Sequence, residues 1–548
     1  MAENSNQQPL LEFLSELETS FALSVPVCLN FVPSFLMEMQ NGLVQHLSNE
    51  HLQMLASHVT TRPTGSEQGK CLSMDLGGTN FRICLYDFDQ SKYPTSGYFI
   101  LKRQKYLISN SVKTNGLLID WMAYCTLQFL NDYYVDLQDL ETETSSSSAP
   151  SNSNSDSKET FRCGLTFSFP IKQSSISSGI LQSWTKGFQG PEIVGKDIVS
   201  LFQQKLDEKG ANIKIVAITN DTVSLLVASG YFNQSSQMSI IIGTGNNGCY
   251  WESLHNVKKL GHEAPESTKG KEMVINIEWG AFDNSNAIIP LSKFDKSLHD
   301  SSPTPGFQKL EKMISGLYIG EIVRIILEDL VSSGLIFSES SLISPTVFSP
   351  YALDTEVVSK ILSFPFTENK RFPLAESNSV EDFTRLGSLE TLREIIKSNI
   401  YSDPSDLELY VIYRVCSVVT FRAMILCSLA ASSVLLKRPD VLSLDHSPVP
   451  RIIGIEGSVY NNIPGFSSVL SFVVNNVVKA HIIAQKNQNK ITSNNQTIIT
   501  PFNVFETFEL DNLLTDPTSA SEKSKQLVNF NFVDGGCILG TAILALIA

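Results

Sequence analysis

Leu72-Ser73-Met74-Asp75-Leu76-Gly77-Gly78-Thr79-Asn80-Phe81-Arg82 is the stretch on which the reading of this chain turns. An apolar strand delivers an acid to a glycine turn, and a second strand, Ile83 to Tyr86, leads away from it. Glycines let a backbone turn tightly and let its N–H groups approach an anion with no Cβ in the way. Thr79 and Asn80 add side-chain donors, and an acid at position 75 can hold a metal ion through water. Two strands around such a turn make a hairpin able to cradle phosphates. Gly-Gly alone is no more than an ordinary hairpin turn, so a second element is needed.

Ser239-Ile240-Ile241-Ile242-Gly243-Thr244-Gly245-Asn246-Asn247-Gly248-Cys249-Tyr250-Trp251-Glu252 supplies it. It has the same plan: apolar strand, Gly-Thr-Gly turn, amphipathic strand. Two glycine hairpins far apart in one chain suggest two similar half-domains facing a nucleotide. Neither fits the Walker pattern, in which Gly-Lys-Ser/Thr opens a helix, and no Gly-x-Gly-x-x-Gly fingerprint follows a strand. The phosphate grip is therefore assigned to hairpins and not to a helix N-terminus.

At 548 residues the chain is too long for one typical core, and two domains are the default. A formal charge of −15 argues against nucleic-acid or anionic-membrane partners. An anionic nucleotide would have to be held by local amides, hydroxyls and a cation against that field. The polar N-terminus lacks a basic, then apolar, secretory pattern, and no uninterrupted apolar run reads as a bilayer span. An intracellular, cytoplasmic protein fits. Nine cysteines without a C-x-x-C pair, and eight histidines without metal spacing, read as structural.

Along the chain, helical periodicity covers about Leu10 to Leu55, for example Leu11, Leu14, Leu17, Phe35, Leu36, Met39 and Leu43. The polar stretch between Gln138 and Thr160 reads as a disordered surface insertion, and Gln485 to Gln496 as another. Helices are assigned to Gly306–Leu335 and to the apolar Leu407–Leu436, and strand–turn pairs to Ile452–Tyr460 and the C-terminus. Alternation of strands and helices gives an α/β class.

Three further motifs lie at the ends of apolar strands, where α/β sheets bind ligands. They are Leu165-Thr166-Phe167-Ser168-Phe169-Pro170 with Trp184-Thr185-Lys186-Gly187-Phe188, Ile218-Thr219-Asn220-Asp221-Thr222-Val223, and Ile275-Asn276-Ile277-Glu278-Trp279-Gly280 with Glu311-Lys312-Met313-Ile314-Ser315. Their carboxylates, amides and hydroxyls are the mixture a polyhydroxylated sugar needs. Each acid taken alone is equally a solvated loop charge or a helix cap. Asn220-Asp221 stands apart because it directly ends the apolar run Ile213–Ile218.

With these pieces in order, joined by Arg62-Pro63-Thr64-Gly65-Ser66-Glu67 and Gly454-Ile455-Glu456-Gly457-Ser458-Val459-Tyr460, the chain resembles eukaryotic hexokinases of the fungal hexokinase–glucokinase group. The resemblance implies an actin-like, ribonuclease-H-like fold of two α/β lobes with a cleft between them. Residues 1–69 would begin the large lobe, 70–219 form the small lobe, 220–532 complete the large lobe, and 533–548 return to the small lobe as a helix. It further implies an ATP-dependent hexose 6-kinase with Asp221 as general base. Ser168, Phe169, Thr185, Lys186, Asn220, Asn247, Glu278 and Glu311 match substrate positions. Asp75, Gly77, Gly78, Thr79, Asn80 and Arg82 match the first phosphate element, with Asp75 reaching Mg²⁺ through water; Gly243, Thr244 and Gly245 match the second. Thr355, Ser359, Gly457 and Ser458 match positions around the adenosine. The implied partners are a hexose or amino-hexose, ATP and Mg²⁺, with no nucleic acid and no membrane span, in a monomer or homodimer. An N-acetylglucosamine kinase and a low-activity sugar sensor are the alternatives.

The sequence departs from the family pattern in three places. Ser224-Leu225 stands where Gly-Thr is usual after Asn-Asp-Thr-Val, and Glu456 stands where Asp is usual. In Asp534-Gly535-Gly536-Cys537-Ile538-Leu539-Gly540-Thr541-Ala542 the family's Asp-Gly-Ser-Gly-x-Gly-Ala-Ala is disrupted. The changes at the C-terminus either weaken nucleotide docking or repack the last helix. The first prediction concerns the insertion: deleting the tract between Glu141 and Thr160 leaves the melting temperature and turnover nearly unchanged, because its composition supports no core. Thermal denaturation and a coupled kinase assay check it.

Overall fold

The computed structural model describes residues 3–48, 50–144, 160–184, 188–261, 270–337, 342–343, 346–364, 380–385, 388–438, 451–491 and 527–548. Its strands are β1 (Leu55–Ala56), β2 (Gly69–Leu76), β3 (Asn80–Phe88), β4 (Tyr98–Leu107), β5 (Phe161–Phe167), β6 (Ile171–Ser175), β7 (Ser178–Leu181), β8 (Ile213–Thr219), β9 (Ser236–Ile242), β10 (Asn246–Ser253), β11 (Glu272–Asn276), β12 (Arg451–Glu456) and β13 (Val528–Phe532). They form a five-stranded sheet in the order β4-β3-β2-β5-β8, a six-stranded sheet in the order β1-β11-β10-β9-β12-β13, and the hairpin β6-β7. Each large sheet has the same logic: an antiparallel glycine hairpin continued by parallel strands. This is a two-lobed α/β architecture, the sheet of each lobe carrying one of the two turns.

Separate apolar cores build the two lobes. One gathers Leu72, Met74, Phe81, Phe129, Phe167 and Phe202 around the five-stranded sheet. The other joins the N-terminal helices Glu3–Phe21 and Val25–Val44 to the six-stranded sheet and to the long helix Asp406–Leu436. A third cluster lies between them and contains Val223, Leu225 and Leu226 of the helix Asp221–Phe232 and Leu539, Ala542 and Ile543 of the C-terminal helix Gly536–Ile547. The C-terminal helix also lies against β2, β5 and β8. The chain end thus leaves β13 of one sheet and packs on the other.

Several elements differ from the sequence reading for identifiable reasons. The N-terminal pattern is two helices, because Ser24 is extended and Pro26 can open a helix but not continue one. Gly306–Leu335 is broken at Ser315, whose extended backbone separates the helix Lys309–Ile314 from Gly316–Ser332. The second half of Ile452–Tyr460 is the short helix Ser458–Asn462. Helix Leu118–Thr144 runs into the polar insertion, and residues 145–159 lie outside the described residues. Likewise, helix Phe466–Ile491 enters the second polar tract, and residues 492–496 lie outside.

By length and composition, Gln8–Val44 and Asp406–Leu436 are apolar enough to cross a bilayer. The second is the apolar helix that the sequence assigns to Leu407–Leu436, and Arg414 and Arg422 interrupt its apolar run. In the fold it is a core helix, and the first stretch is a broken pair that buries Leu10, Leu14, Leu17, Phe31, Phe35 and Met39 in the same core.

Arg422 shows how a charge is tolerated there. Its Nη1 and Nη2 each donate to Asp295 at 2.7 Å, and its guanidinium stacks 4.1 Å over the Phe21 ring. Burial alone would raise the Asp295 pKa, but Arg422 and Ser292 reverse this and hold it below the usual range. Asp295→Ala strands the cation in the core and is expected to cost about 3–5 kcal/mol, whereas replacing both partners by apolar residues costs less. Urea denaturation of the single and double variants checks this.

Candidate active site

Asp221 is the first residue of its helix, placed there by Asn220, whose Oδ1 accepts from the Val223 N–H at 3.0 Å as an N-cap. Asp221 Oδ1 accepts from the Thr222 N–H at 2.7 Å and from the Thr222 hydroxyl at 3.1 Å. Both bonds fall on Oδ1, so Oδ2 is the oxygen left to take a proton. The Thr222 carbonyl in turn accepts from Ser239 Oγ at 2.6 Å and from Cys249 Sγ at 3.2 Å, which ties the first turn to β9 and β10.

The first glycine turn closes with the Gly77 N–H donating to the Asn80 carbonyl at 3.0 Å, and Asn80 Nδ2 donates to Thr79 Oγ1 at 2.8 Å. Neither Gly77 nor Gly78 has a left-handed φ, and a Cβ at Gly77 would meet only the Asn80 carbonyl oxygen at 3.7 Å. The fold itself does not demand glycine at Gly77. Asp75 pairs with Arg82 directly across the hairpin at 2.5 Å. Lys105 is the next residue along that rung, opposite Arg82 on β4, and is exposed. Sequence reading missed it; cross-strand register was the signal.

In the second turn the Gly243 N–H donates to the Gly245 carbonyl at 2.9 Å. The Gly243 and Thr244 carbonyls accept from Gly316 at 2.8 Å and Leu317 at 3.0 Å, the first N–H groups of the helix Gly316–Ser332. That helix N-terminus therefore steadies the hairpin. Gly457 packs against the same turn with φ 134°, where a Cβ would overlap the Ile242 carbonyl. Ser458 follows it, exposed. Thr355 and Ser359 are buried, and their hydroxyls donate at 2.6 Å to the Gly316 and Asn462 carbonyls respectively. These two build the wall beside the turn with hydroxyls already engaged.

A polar network occupies the neighbouring strand ends. Asn247 Nδ2 donates to Asn276 Oδ1 at 2.8 Å and to Glu278 Oε1 at 3.2 Å, and Asn276 Nδ2 donates to the same Glu278 oxygen at 2.7 Å. Asn276 was not singled out from the sequence. Glu278 has φ 57° and Gln308 φ 58°, left-handed backbone that costs on the order of 1–3 kcal/mol for such residues. The buried Lys309–Asp283 pair, at 2.7 Å, holds the two segments together. Gly280 lets them meet, since a Cβ there would lie 2.9 Å from Glu311 Cβ. Glu311 accepts from the Asn246 N–H at 3.1–3.2 Å.

Ser168 follows β5, its N–H reaching the Leu76 carbonyl at 3.4 Å. The Phe169 ring is 5 % exposed and packs edge-on to Trp184 and Phe188 at 5.1 and 5.0 Å, so it supports the surrounding loop from within the core. Thr185 and Lys186 lie outside the described residues.

Residues 75, 221, 278, 311 and 456 are brought into electrostatic reach of one another, as shown by the influence of Glu278 and Asp221 on Glu311 and of Asp221 and Asp75 on Glu456. No group of three His, Cys, Asp or Glu side chains forms a metal cage among the described residues. The donor set fits a cation carried mainly by nucleotide oxygens and water, with Asp75 at its edge.

The fold and cleft define a two-lobed ATPase of the actin-like class. The structure of a hexokinase from Schistosoma mansoni complexed with glucose superposes with a TM-score of 0.71 at 23 % identity, covering 99 % of this chain and 100 % of that one. The chain belongs to the hexokinase family, whose sequence models match residues 13–231 and 237–496. It is 32 % identical to the Kluyveromyces lactis hexokinase over 466 residues, 83 % of each chain. It is also 32 % identical to glucokinase-1 of Saccharomyces cerevisiae over 461 residues, 80 % of this chain and 85 % of that one.

Burial, with Glu278 and Asp221 nearby, raises the Glu311 pKa to about 8. The unfolded chain ionises near the ordinary 4.5, so the folded state holds the extra proton between those two values and loses stability as pH rises through about 8. Melting temperatures of the sugar-free protein should fall across this window, and Glu311→Gln should flatten the dependence while weakening sugar binding.

Proposed function

We propose that this hexokinase-family kinase transfers the γ-phosphoryl group of ATP to the 6-hydroxyl of a hexose, with Asp221 as general base. The observation that carries this reading is the convergence of Asp221, the Asn247–Asn276–Glu278 network and Glu311 beside two glycine turns. The hexose hydroxyls donate to Glu278 and Glu311 and accept from Asn247, with Ser168, Thr185, Lys186 and Asn220 as the remaining contacts. Asp221 Oδ2 accepts the 6-hydroxyl proton as that oxygen attacks the γ-phosphorus. The bond from phosphorus to the bridging oxygen breaks, and ADP leaves with the electron pair. Transfer of this kind has a loose transition state, so positioning and charge neutralisation carry most of the rate.

The turns Gly77–Asn80 and Gly243–Gly245, through N–H groups not spent on closing them and with Arg82, would hold the phosphates, and Thr355, Ser359, Gly457 and Ser458 would lie around the nucleoside. Bound Mg²⁺ supplies charge neutralisation there, with Asp75 oriented by Arg82. The small lobe of this reading is 70–219 plus the helix from 533, and the remainder is the large lobe. Sugar ligands from both lobes reward a closed cleft, which excludes water from the transfer.

The acceptor is a hexose or an amino-hexose, with glucose as the default. A coupled assay with glucose, fructose, mannose and N-acetylglucosamine tests the acceptor. Asp221→Asn should keep sugar binding while turnover falls roughly 10²–10⁴-fold, the usual worth of a positioned base; wild-type turnover in a folded variant removes Asp221 from the mechanism.

A further inference from the structure

The departures at Ser224, Leu225, Glu456 and the C-terminal helix meet in one place. A Cβ at Gly540 would overlap the Ser224 carbonyl, and one at Gly536 would lie 2.5 Å from Leu225 Cδ1. Gly540 backs onto the Ser224 backbone, and Thr541 beside it places its hydroxyl against that of Ser224. Thr541 then completes a buried hydroxyl cluster. Its hydroxyl donates to the Cys537 carbonyl at 2.8 Å, so its lone pairs are what remain for Ser224 Oγ, at 2.7 Å, and for Thr166 Oγ1. Thr166, Ser224 and Thr541 are all 0 % exposed. At the start of the helix, the Cys537 N–H and S–H both donate to Glu456 Oε2, at 3.2 and 3.1 Å.

We infer that Thr541, acting with Ser224 and Thr166, is a positioning residue for the base. Ser224 lies in the buried first turn of the helix that begins with Asp221, and Thr166 is in the last two residues of the strand that leads to Ser168. Ser239 and Cys249 hold the Thr222 carbonyl from the large-lobe sheet, while Thr541 and Thr166 hold Ser224 from the small-lobe side. The base helix is gripped by hydroxyls from both sheets, so Asp221 is registered against both lobes. Glu456 ties the first turn of the C-terminal helix, through Cys537, to the Gly457-Ser458 segment. None of these side chains touches the reacting atoms; they act through the placement of Asp221, and the inference rests on Asp221 being the base.

Thr541→Val keeps the shape but removes the acceptor that Ser224 and Thr166 share, leaving them only each other at 3.4 Å; Thr541→Ser keeps the hydroxyl. Thr541→Val should lower kcat about tenfold, because small misplacements of reacting groups are costly, with sugar KM and sugar Kd within about twofold of wild type. Thr541→Ser should restore most of kcat, and Ser224→Ala combined with Thr541→Val should lose little more than Thr541→Val alone, as residues of one cluster do. All variants are assayed well below their measured melting temperatures. Unchanged kcat in folded Thr541→Val overturns the proposal, as does an equal loss in Thr541→Ser. Should Thr541→Val not fold, Ser224→Ala alone decides: a severalfold loss of kcat at constant KM supports the proposal, and wild-type kcat overturns it. Asp221→Asn runs as the control. Wild-type turnover there sinks the base assignment itself, whereas an inactive Asp221→Asn beside a fully active Thr541→Val sinks only the positioning role.

Discussion

Five carboxylates from distant parts of the chain crowd one cleft, and their mutual repulsion is the constraint around which the rest is arranged. Asp75, Asp221, Glu278, Glu311 and Glu456 would not share a low-dielectric space without compensation. Each receives a different one. Arg82 pairs with Asp75, Thr222 donates twice to one oxygen of Asp221, and two asparagines donate to Glu278. Glu456 is satisfied by the first turn of the C-terminal helix. Glu311 has only one backbone donor, which both its oxygens share, and burial raises its pKa. The least compensated acid is also one of those assigned to sugar hydroxyls.

That distribution makes sense of the turns. An acidic cleft in a chain of net charge −15 does not attract a triphosphate by its field. It must offer directional donors at short range, which glycine turns do by exposing N–H groups with no side chain between them and the ligand. The N-terminus of the helix Gly316–Ser332 is spent on the carbonyls of the second turn, and that of the C-terminal helix is spent on Glu456. Helix termini here stiffen the phosphate turns and the base helix instead of meeting the anion.

The features legible in the sequence were those whose chemistry is local. Both glycine hairpins, the acid ending the apolar run Ile213–Ile218, and the α/β alternation need only short windows. What escaped depends on register or on distant partners. Asn276 reads as a strand-end polar residue until Asn247 arrives opposite it. Lys105 gains meaning only from its place across from Arg82. Lys309 and Asp283 are 26 residues apart, and nothing in either segment names the other. The left-handed backbone at Glu278 has no glycine to announce it. The hydroxyls of Thr355 and Ser359 donate to the distant Gly316 and Asn462 carbonyls, pairings that no short window of sequence announces.

The departures from the family pattern carry the same lesson further. Position by position, Ser224, Gly536, Cys537, Gly540 and Thr541 look like erosion of a glycine-rich motif. Packed together they fit one another: Gly540 makes room for the Ser224 backbone, whose carbonyl a Cβ would overlap, and the hydroxyls at Ser224 and Thr541 satisfy one another. Cys537 and Glu456 are matched in the same way, since the longer acid reaches both the N–H and the thiol. A decayed site would leave buried polar groups without partners at these positions, at about 1–3 kcal/mol each. Here each added hydroxyl has a partner, and the helix it holds is the one that presents Asp221. The C-terminal motif is therefore repacked against the helix that begins with Asp221, the residue proposed as the base.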